Sequence, residues 1–571
     1  MNWLNKYQEW NQFSHLDQSL KSELVQISDK KELKDRFSHY LEFGTGGMRG
    51  ELGAGTNRIN IYTVRRITQG LANYLIESVP EASLKGVVIS YDSRHFSREF
   101  AEETACVLAQ NGVKSFLSDT LRPTPVLSFL VREFNAAAGV MITASHNPAV
   151  YNGYKIYGED GGQITIETAN QISDNLASIE NELTIRSGSL ESFVKDKVIN
   201  FFGDEVNELY LNRISNAIQD SEVVESIDDQ FKIIYTPLHG AGLKLVESAL
   251  KRNGFANLTI VEKQAVMDGD FPTVRYPNPE EKDSFKLAME LGKEKNATLL
   301  MATDPDADRL GVAVLNAQNE YHILNGNQLG VLLLHYLLRQ KSSQELKNAA
   351  IVKTIVTSDL GEKIAEKFNV KVFNTLTGFK YIGEKIAEFE EQKNYTFLFG
   401  YEESFGYLVD PFVRDKDAIQ AALLTAEVAL YYSQQGKTLL EALEEIYKEF
   451  GFYIERLENR TFKGIEAEKD MLAKINAWRN DPPVSIADLK IVRIDDYLFK
   501  ESSNLSNHTI DKINLPKSNV LKFYLEDGSW FCIRPSGTEQ KCKLYFSVHS
   551  KKQSIAEEKM NVLIEEVLNV F

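Results

Sequence analysis

The feature that most constrains this chain is an alternation. Short apolar runs at residues 86–90, 137–142, 232–235, 297–301 and 350–356 are separated by longer amphipathic segments. Runs of that length suit buried strands, and segments with an apolar stripe at helical spacing suit helices, so the pattern predicts layered α/β structure. The spacing predicts helices over 65–77, 243–252, 360–368 and 418–432; the second and third closely follow strand-like runs, as crossover units require, and the last has a wide apolar face with few breakers. With 571 residues, 43% of them hydrophobic, the chain is too long for one core and should divide into several domains. Composition shifts near residues 205, 322 and 453 predict domains at 1–205, 206–322, 323–452 and 453–571.

The charge balance narrows the partners. A net charge of −17 gives no broad basic surface for nucleic acid or an anionic membrane, so an anionic substrate would need local basic pockets. Three scattered cysteines, Cys106, Cys532 and Cys542, fit neither a disulfide framework nor a zinc site and point to a reducing compartment. The polar opening MNWLNKYQEWNQ does not read as a signal peptide, and no apolar run approaches the ~18 residues that span a bilayer. The expectation is a cytoplasmic protein with small-molecule partners, no nucleic acid and no membrane.

The segment TDPDADR at 303–309 sets Asp304, Asp306 and Asp308 at alternate positions of a short loop between two strand-like runs. Three adjacent carboxylates call for a cation, and hard oxygen ligands suit Mg²⁺ or Ca²⁺ rather than zinc. A calcium-binding EF-hand loop fails, since Arg309 stands where glycine is needed and Leu315 where glutamate is. On its own such a triplet is about as often a solvated acidic turn, but Arg309 beside it suggests that a phosphate also approaches. The segment GVMITASHNP at 139–148 reads as a buried strand ending in a loop that exposes Ser145 and His146. No hydrolase elbow of the G-x-S-x-G type is present, and His146, as the next residue, is not placed as a triad base. The pairing of serine loop and triad favours a Ser145 that carries a phosphoryl group, one oxygen of which completes the metal site.

Together TASHNP at 143–148 and DPDADR at 304–309 resemble the α-D-phosphohexomutase superfamily, as do FGTGGMRG at 43–50, YNGYKIY at 151–157, TLTGFKYIG at 375–383, GYEESFGY at 400–407 and RPSGTE at 534–539. The resemblance spans nearly the whole chain and is strongest to the branch containing bacterial phosphoglucomutases and related phosphopentomutases. It implies a four-domain, heart-shaped α/β enzyme in which three related mixed α/β domains are followed by a distinct C-terminal α+β domain. By the same resemblance, Ser145 is the phosphorylated residue, Asp304, Asp306 and Asp308 bind Mg²⁺, and Ser145 joins them as a ligand through its phosphoryl group. Arg49, His146 and Lys155 would line the reacting phosphoryl, and Glu402 and Ser404 would grip sugar hydroxyls. Arg309, Thr377, Gly378, Lys380 and Lys416 would also face substrate. Arg534, Ser536, Gly537, Thr538 and Lys541 would hold the non-reacting phosphate.

The implied activity converts glucose 1-phosphate to glucose 6-phosphate with glucose 1,6-bisphosphate as intermediate and activator; monomer and dimer both stay open. A pentose or mannose phosphate is the alternative substrate, and a non-catalytic sugar-phosphate sensor is the alternative class. Two positions depart from the family pattern. Gln540 replaces a proline of the phosphate loop, and Tyr407 stands where some relatives carry a histidine, leaving Lys380 and Lys416 to supply cationic chemistry.

Overall fold

The structure, a computed structural model, describes residues 2–316, 318–462, 467–535 and 541–571. The first of four sheets contains β1 (Phe43–Gly44), β2 (Gly47–Glu51), β3 (Val87–Tyr91), β4 (Ser115–Ser118), β5 (Ala138–Ile142), β6 (Tyr151–Tyr157) and β7 (Ile199–Phe202), in the order β1-β2-β6-β5-β3-β4-β7. Strands β5, β3, β4 and β7 are parallel, while β6, β2 and β1 continue antiparallel. Every residue of β3 and β5 is buried, as expected for parallel strands covered on both faces. Because Tyr91 is in register with Ile142, the turns that leave these two strands emerge side by side. Ligand sites of open α/β sheets form at such carboxyl ends.

The second sheet holds β8 (Ile233–Thr236), β9 (Leu258–Ile260), β10 (Leu299–Thr303), β11 (Leu310–Leu315) and β12 (Tyr321–Leu324), in the order β12-β11-β10-β8-β9. Thr303 pairs with Leu310 across the antiparallel β10/β11 ladder, so residues 304–309 form a hairpin loop. The third sheet, β14-β13-β15-β16, contains β13 (Ala349–Thr354), β14 (Lys371–Thr375), β15 (Thr396–Tyr401) and β16 (Tyr407–Leu408). Its β15/β16 hairpin presents residues 402–406. The fourth sheet is antiparallel and built from β17 (Phe452–Thr461), β18 (Ser485–Ile486), β19 (Leu489–Asp496), β20 (Glu501–Asn504), β21 (Thr509–Lys512), β22 (Leu521–Leu525), β23 (Trp530–Pro535) and β24 (Lys541–Ser550). This is the four-part α/β architecture that the resemblance implied.

One apolar cluster runs continuously from the first sheet through the third, whereas the fourth sheet has its own core around Ile475, Phe523 and Phe546. The predicted helix at 243–252 is observed as Leu243–Arg252. The helix predicted over 65–77 begins earlier, as Ile61–Ser78, because Asn60 and Thr63 form a reciprocal cap. The strand predicted at 297–301 is shifted toward the aspartates, as Leu299–Thr303, after a left-handed Asn296 closes the preceding helix. The helix predicted over 418–432, observed as Ala418–Ser433, is buried on nearly every side rather than on one wide face, since it is wedged against helices Leu243–Arg252 and Gly326–Gln340. Three helices that the alternation did not indicate, Trp3–Gln12, Gln18–Gln26 and Lys30–Phe37, form a small cluster on the first domain. They are pinned there by buried Glu182, which accepts from Trp10 Nε1 (2.6 Å) and Tyr40 Oη (2.7 Å) and pairs with Lys6 (3.1 Å).

Candidate active site

Ser145 lies just past the end of β5 in a left-handed conformation, φ +50°, which costs a non-glycine residue about 1 kcal/mol. The expectation of an exposed serine is corrected: Ser145 is 3% exposed, because the triad loop closes over it. Its Oγ donates to Asp304 Oδ2 at 2.6 Å, and His146 Nδ1 lies 3.1 Å from the same oxygen. Arg49, on β2, is exposed and donates to Asn147 Oδ1 (3.0 Å) at the loop's outer edge. The separate serine and triad motifs of the sequence thus meet in one cluster.

All three aspartates are buried, and one ligand atom from each lies within 4.8 Å of the others. Asp304 Oδ1 accepts the backbone N–H groups of Asp308 (3.1 Å) and Arg309 (3.0 Å), which curls the loop around its first carboxylate. Lys155, from β6, reaches Asp306 Oδ2 (2.8 Å) and Asp308 Oδ2 (3.3 Å), and Lys416 reaches Asp308 Oδ2 (3.0 Å). Burial, then the neighbouring Asp306 and Asp308, pushes the Asp304 carboxyl well above the usual range. Burial acts the same way on Asp306 but is outweighed by Lys155, which holds that carboxyl well below it. Asp306 Oδ1 and Asp308 Oδ1 are buried and have no hydrogen-bond partner among the described residues. Orphaned carboxylate oxygens beside a third carboxylate form an all-oxygen donor set, and a hard divalent cation fits it.

Arg309 donates from Nη1 to Glu280 Oε1 at 2.7 Å. The triad loop also touches the third sheet: Leu310 N donates to Phe405 O (3.1 Å), and Arg309 pairs as an isolated bridge with Gly406. A Cβ at 406 would lie 2.4 Å from Lys416 Cδ, so any side chain there would push that lysine aside. Glu402 is buried and accepts from Gly378 N (3.0 Å); burial first, then adjacent Glu403, raises its carboxyl to about 7. Ser404, in the β15/β16 hairpin, and Thr377, in the turn after β14, are half-buried. Lys380 is buried, its Nζ has no hydrogen-bond partner among the described residues, and it sits 4.3 Å from the Tyr381 ring centroid. Tyr407, the departure from the histidine pattern, is buried with its hydroxyl donating to Gly326 O (3.2 Å), so it fills core space rather than the site. Arg534 and Lys541 are half-buried at facing ends of β23 and β24, while Ser536, Gly537, Thr538 and Gln540 lie outside the described residues.

Several residues that bear on this cluster escaped the sequence reading. Thr124 donates to Asp306 Oδ2 (3.0 Å) from a helix start, and Glu280 holds Arg309. Asp415 accepts from Tyr157 Oη (2.8 Å) and Gln163 Nε2 (2.8 Å) and lies 3.3 Å from Lys416 Nζ, fastening the first sheet to the lysine. Asp92 and Arg94, immediately after β3, brace the serine loop from below. Their one signal in the sequence was a charged Asp-x-Arg turn ending a mostly apolar strand.

A buried serine hydrogen-bonded to one of three clustered aspartates, and joined by lysines from two other elements, belongs to a recognisable class. Residues 40–183, 208–317, 325–450 and 479–563 match, in that order, alpha/beta/alpha domains I, II and III and the C-terminal domain of the phosphoglucomutase/phosphomannomutase family. The chain belongs to that family. Within it, the chain is 39% identical to a phosphoglucomutase of Staphylococcus saprophyticus, over 94% of this chain and 95% of that one, and 39% identical to a phosphoglucomutase of Staphylococcus aureus, over 93% and 94%. Its fold is similar to the crystal structure of parafusin, a phosphoglucomutase from Paramecium, in an open form: the TM-score is 0.68 at 18% identity, covering 93% of this chain and 94% of that one. Among the described residues no helix is long and apolar enough to cross a membrane.

Proposed function

We propose that this enzyme interconverts α-D-glucose 1-phosphate and glucose 6-phosphate by moving a phosphoryl group between Ser145 and the sugar. The observation that carries the reading is the 2.6 Å contact of Ser145 Oγ with Asp304 Oδ2 inside a buried cluster of three carboxylates. In the forward half-reaction the bond between phosphorus and Ser145 Oγ breaks as one forms to the free sugar hydroxyl. The sugar hydroxyl gives up its proton and the departing Ser145 Oγ takes one up, so none is gained or lost, and His146 Nδ1, 3.1 Å from that oxygen, is placed to carry it. The resulting glucose 1,6-bisphosphate turns around and returns its other phosphoryl group to Ser145. Asp304, Asp306 and Asp308 would hold Mg²⁺ together with the Ser145 phosphoryl group, and the ion would neutralise the charge on the transferring group.

Arg49 and Lys155 bring positive charge to the same group, and Glu402 and Ser404 offer an acceptor and a hydroxyl for adjacent sugar hydroxyls. Arg309, Thr377, Gly378, Lys380 and Lys416 surround the sugar, and Arg534, Ser536, Gly537, Thr538 and Lys541 hold the distal phosphate. This division assigns serine, metal, sugar and phosphate loops to domains 1–205, 206–322, 323–452 and 453–571. Sugar phosphates are then the partners, and the cytoplasm, where they are made and consumed, the place of work.

The test is conversion of glucose 1-phosphate with Mg²⁺ and a trace of glucose 1,6-bisphosphate, comparing wild type with Ser145→Ala. Activity in the first and none in the second is the expected result. Wild-type turnover of ribose 1-phosphate or mannose 1-phosphate but not of glucose 1-phosphate would move the substrate within the family. No turnover of any of them would overturn the proposal.

A further inference from the structure

The serine loop is held from beneath by one turn, residues 92–97, that follows β3. Arg94 is fully buried, and both of its terminal nitrogens are committed to backbone carbonyls of a single loop. Nη2 donates to Ser145 O (2.5 Å) and to Asn147 O, and Nη1 donates to Pro148 O (2.8 Å) and Tyr151 O (3.0 Å). A planar guanidinium that gathers four carbonyls fixes the whole reversal between β5 and β6, which a point-charge ammonium does not reproduce.

A second arm reaches the nucleophile itself. Asp92 Oδ2 accepts from Thr143 Oγ1 (2.6 Å) and lies 3.4 Å from Arg94 Nε, and Oδ1 accepts from Ser97 Oγ (2.8 Å) and Arg94 N (3.0 Å). With its proton committed to Asp92, the Thr143 hydroxyl presents a lone pair to Ser145 N–H at 2.8 Å. This contact sits at the left-handed serine, where the backbone conformation has to be imposed by its surroundings.

The same turn also faces the second sheet. The Arg94 guanidinium lies 4.9 Å from the Phe271 ring centroid, and His95 Nε2 is 2.7 Å from Asp270 Oδ1. Residues 266–273 are tied in turn to His239, whose Nδ1 meets Val266 O (2.7 Å) and whose Nε2 meets Thr273 Oγ1 (2.8 Å). Two residues further on, Ala241 N donates to Pro305 O (2.7 Å) within the triad loop. The turn therefore touches the serine loop on one side and, through 266–273, the support of the aspartates on the other.

We infer that Asp92 and Arg94 are positioning residues that set Ser145 Oγ against the aspartate triad, Arg94 by gathering the loop's carbonyls and Asp92 through Thr143. The inference rests on the phosphoserine reading of Ser145. It is tested in the full-length enzyme with Arg94→Ala, Arg94→Lys and Thr143→Val. A misplacement near 1 Å costs about 100-fold in turnover, so Arg94→Ala should lose about that much in kcat for glucose 1-phosphate while KM moves by less than about threefold. Added guanidinium should restore part of the Arg94→Ala loss, and Arg94→Lys should fall between the alanine variant and wild type. Amide hydrogen exchange of residues 143–151 should accelerate by about tenfold or more while that of β3 stays as in wild type. Thr143→Val, which keeps the side-chain shape, should show the same kcat-weighted loss and serves if Arg94→Ala does not fold. A variant with a lowered Tm, wild-type kcat per folded molecule and unchanged loop exchange would overturn the inference. If wild type turned over no sugar phosphate the reaction assignment would fall, while the exchange measurement would still decide whether these residues hold the loop.

Discussion

The two oxygens of Asp306 have opposite surroundings. Oδ2 accepts from Lys155 and Thr124, whereas Oδ1 is buried with no hydrogen-bond partner among the described residues. Asp306→Asn keeps the shape and removes the charge, leaving Lys155 facing a neutral amide. If Oδ1 is a metal ligand, kcat should fall by about 10²–10³ with KM changed little, because charge on the transferring group develops beyond the ground state. Mg²⁺ titration should show weaker binding by the same variant, and equal losses in kcat and KM would count against a metal role. At this scale the sequence was informative wherever chemistry sits in one contiguous loop, as with Asp304, Asp306 and Asp308 or Ser145 and His146. It was silent on residues whose meaning is a distant partner. Arg309 reads as a free phosphate clamp until Glu280 is found at its guanidinium, and Arg94 draws no attention until the loop 51 residues later folds onto it.

Helix Ala418–Ser433 shows how a periodic pattern locates an element without revealing its polar interior. Its length and apolar character were legible, but not that Glu427 would be buried in the midst of them. Glu427 accepts from Gln219 N (3.0 Å), Asp220 N (2.7 Å) and Tyr336 Oη (2.7 Å), fastening the segment before residue 221 to two helices of the shared core. Burial raises its carboxyl from 4.5 to about 7, even though these donors pull the other way. Between those two pH values the folded chain keeps a proton that the unfolded chain has released. The stability this proton carries is complete below about pH 4.5 and is lost as pH rises through about 7, at about 1.4 kcal/mol per unit. Glu427→Gln removes the titration, so the Tm of the variant relative to wild type should rise between pH 5 and pH 8, by the equivalent of up to about 3 kcal/mol. A difference in Tm that does not change over this range would show that Glu427 is ionised in the fold throughout.

At the scale of the molecule, the order of the layered units was legible, because the first three carry their own alternation and every unit, the fourth included, carries its own motif loop. Their mutual placement was not, since it rests on side chains such as Lys416, Tyr157 and Asp415 that meet only after three sheets have packed. The first three sheets share one core, and Lys155 and Lys416 tie their loops together. The fourth reaches that core only at Tyr453 of β17 among the described residues and is otherwise attached through a small cluster of Ile355, Val356 and Leu376 against Tyr497, Val520, Trp530, Cys532 and Tyr545. Two polar contacts lock that joint: buried Lys522 donates to Ile355 O (2.7 Å) with its ammonium 3.8 Å from the Trp530 ring centroid, and Trp530 Nε1 donates to Asp359 Oδ2 (2.7 Å). Lys522→Met keeps the apolar stem and leaves the Ile355 carbonyl without its donor, a loss of about 1–3 kcal/mol confined to the joint. If the fourth domain closes on the distal phosphate, weakening its seat should raise KM for glucose 1-phosphate by about five- to tenfold, with kcat changed less than KM. Small-angle scattering should show a larger radius of gyration for the variant without ligand. An unchanged KM together with a lowered Tm would make the joint a structural seam, with no part in holding substrate.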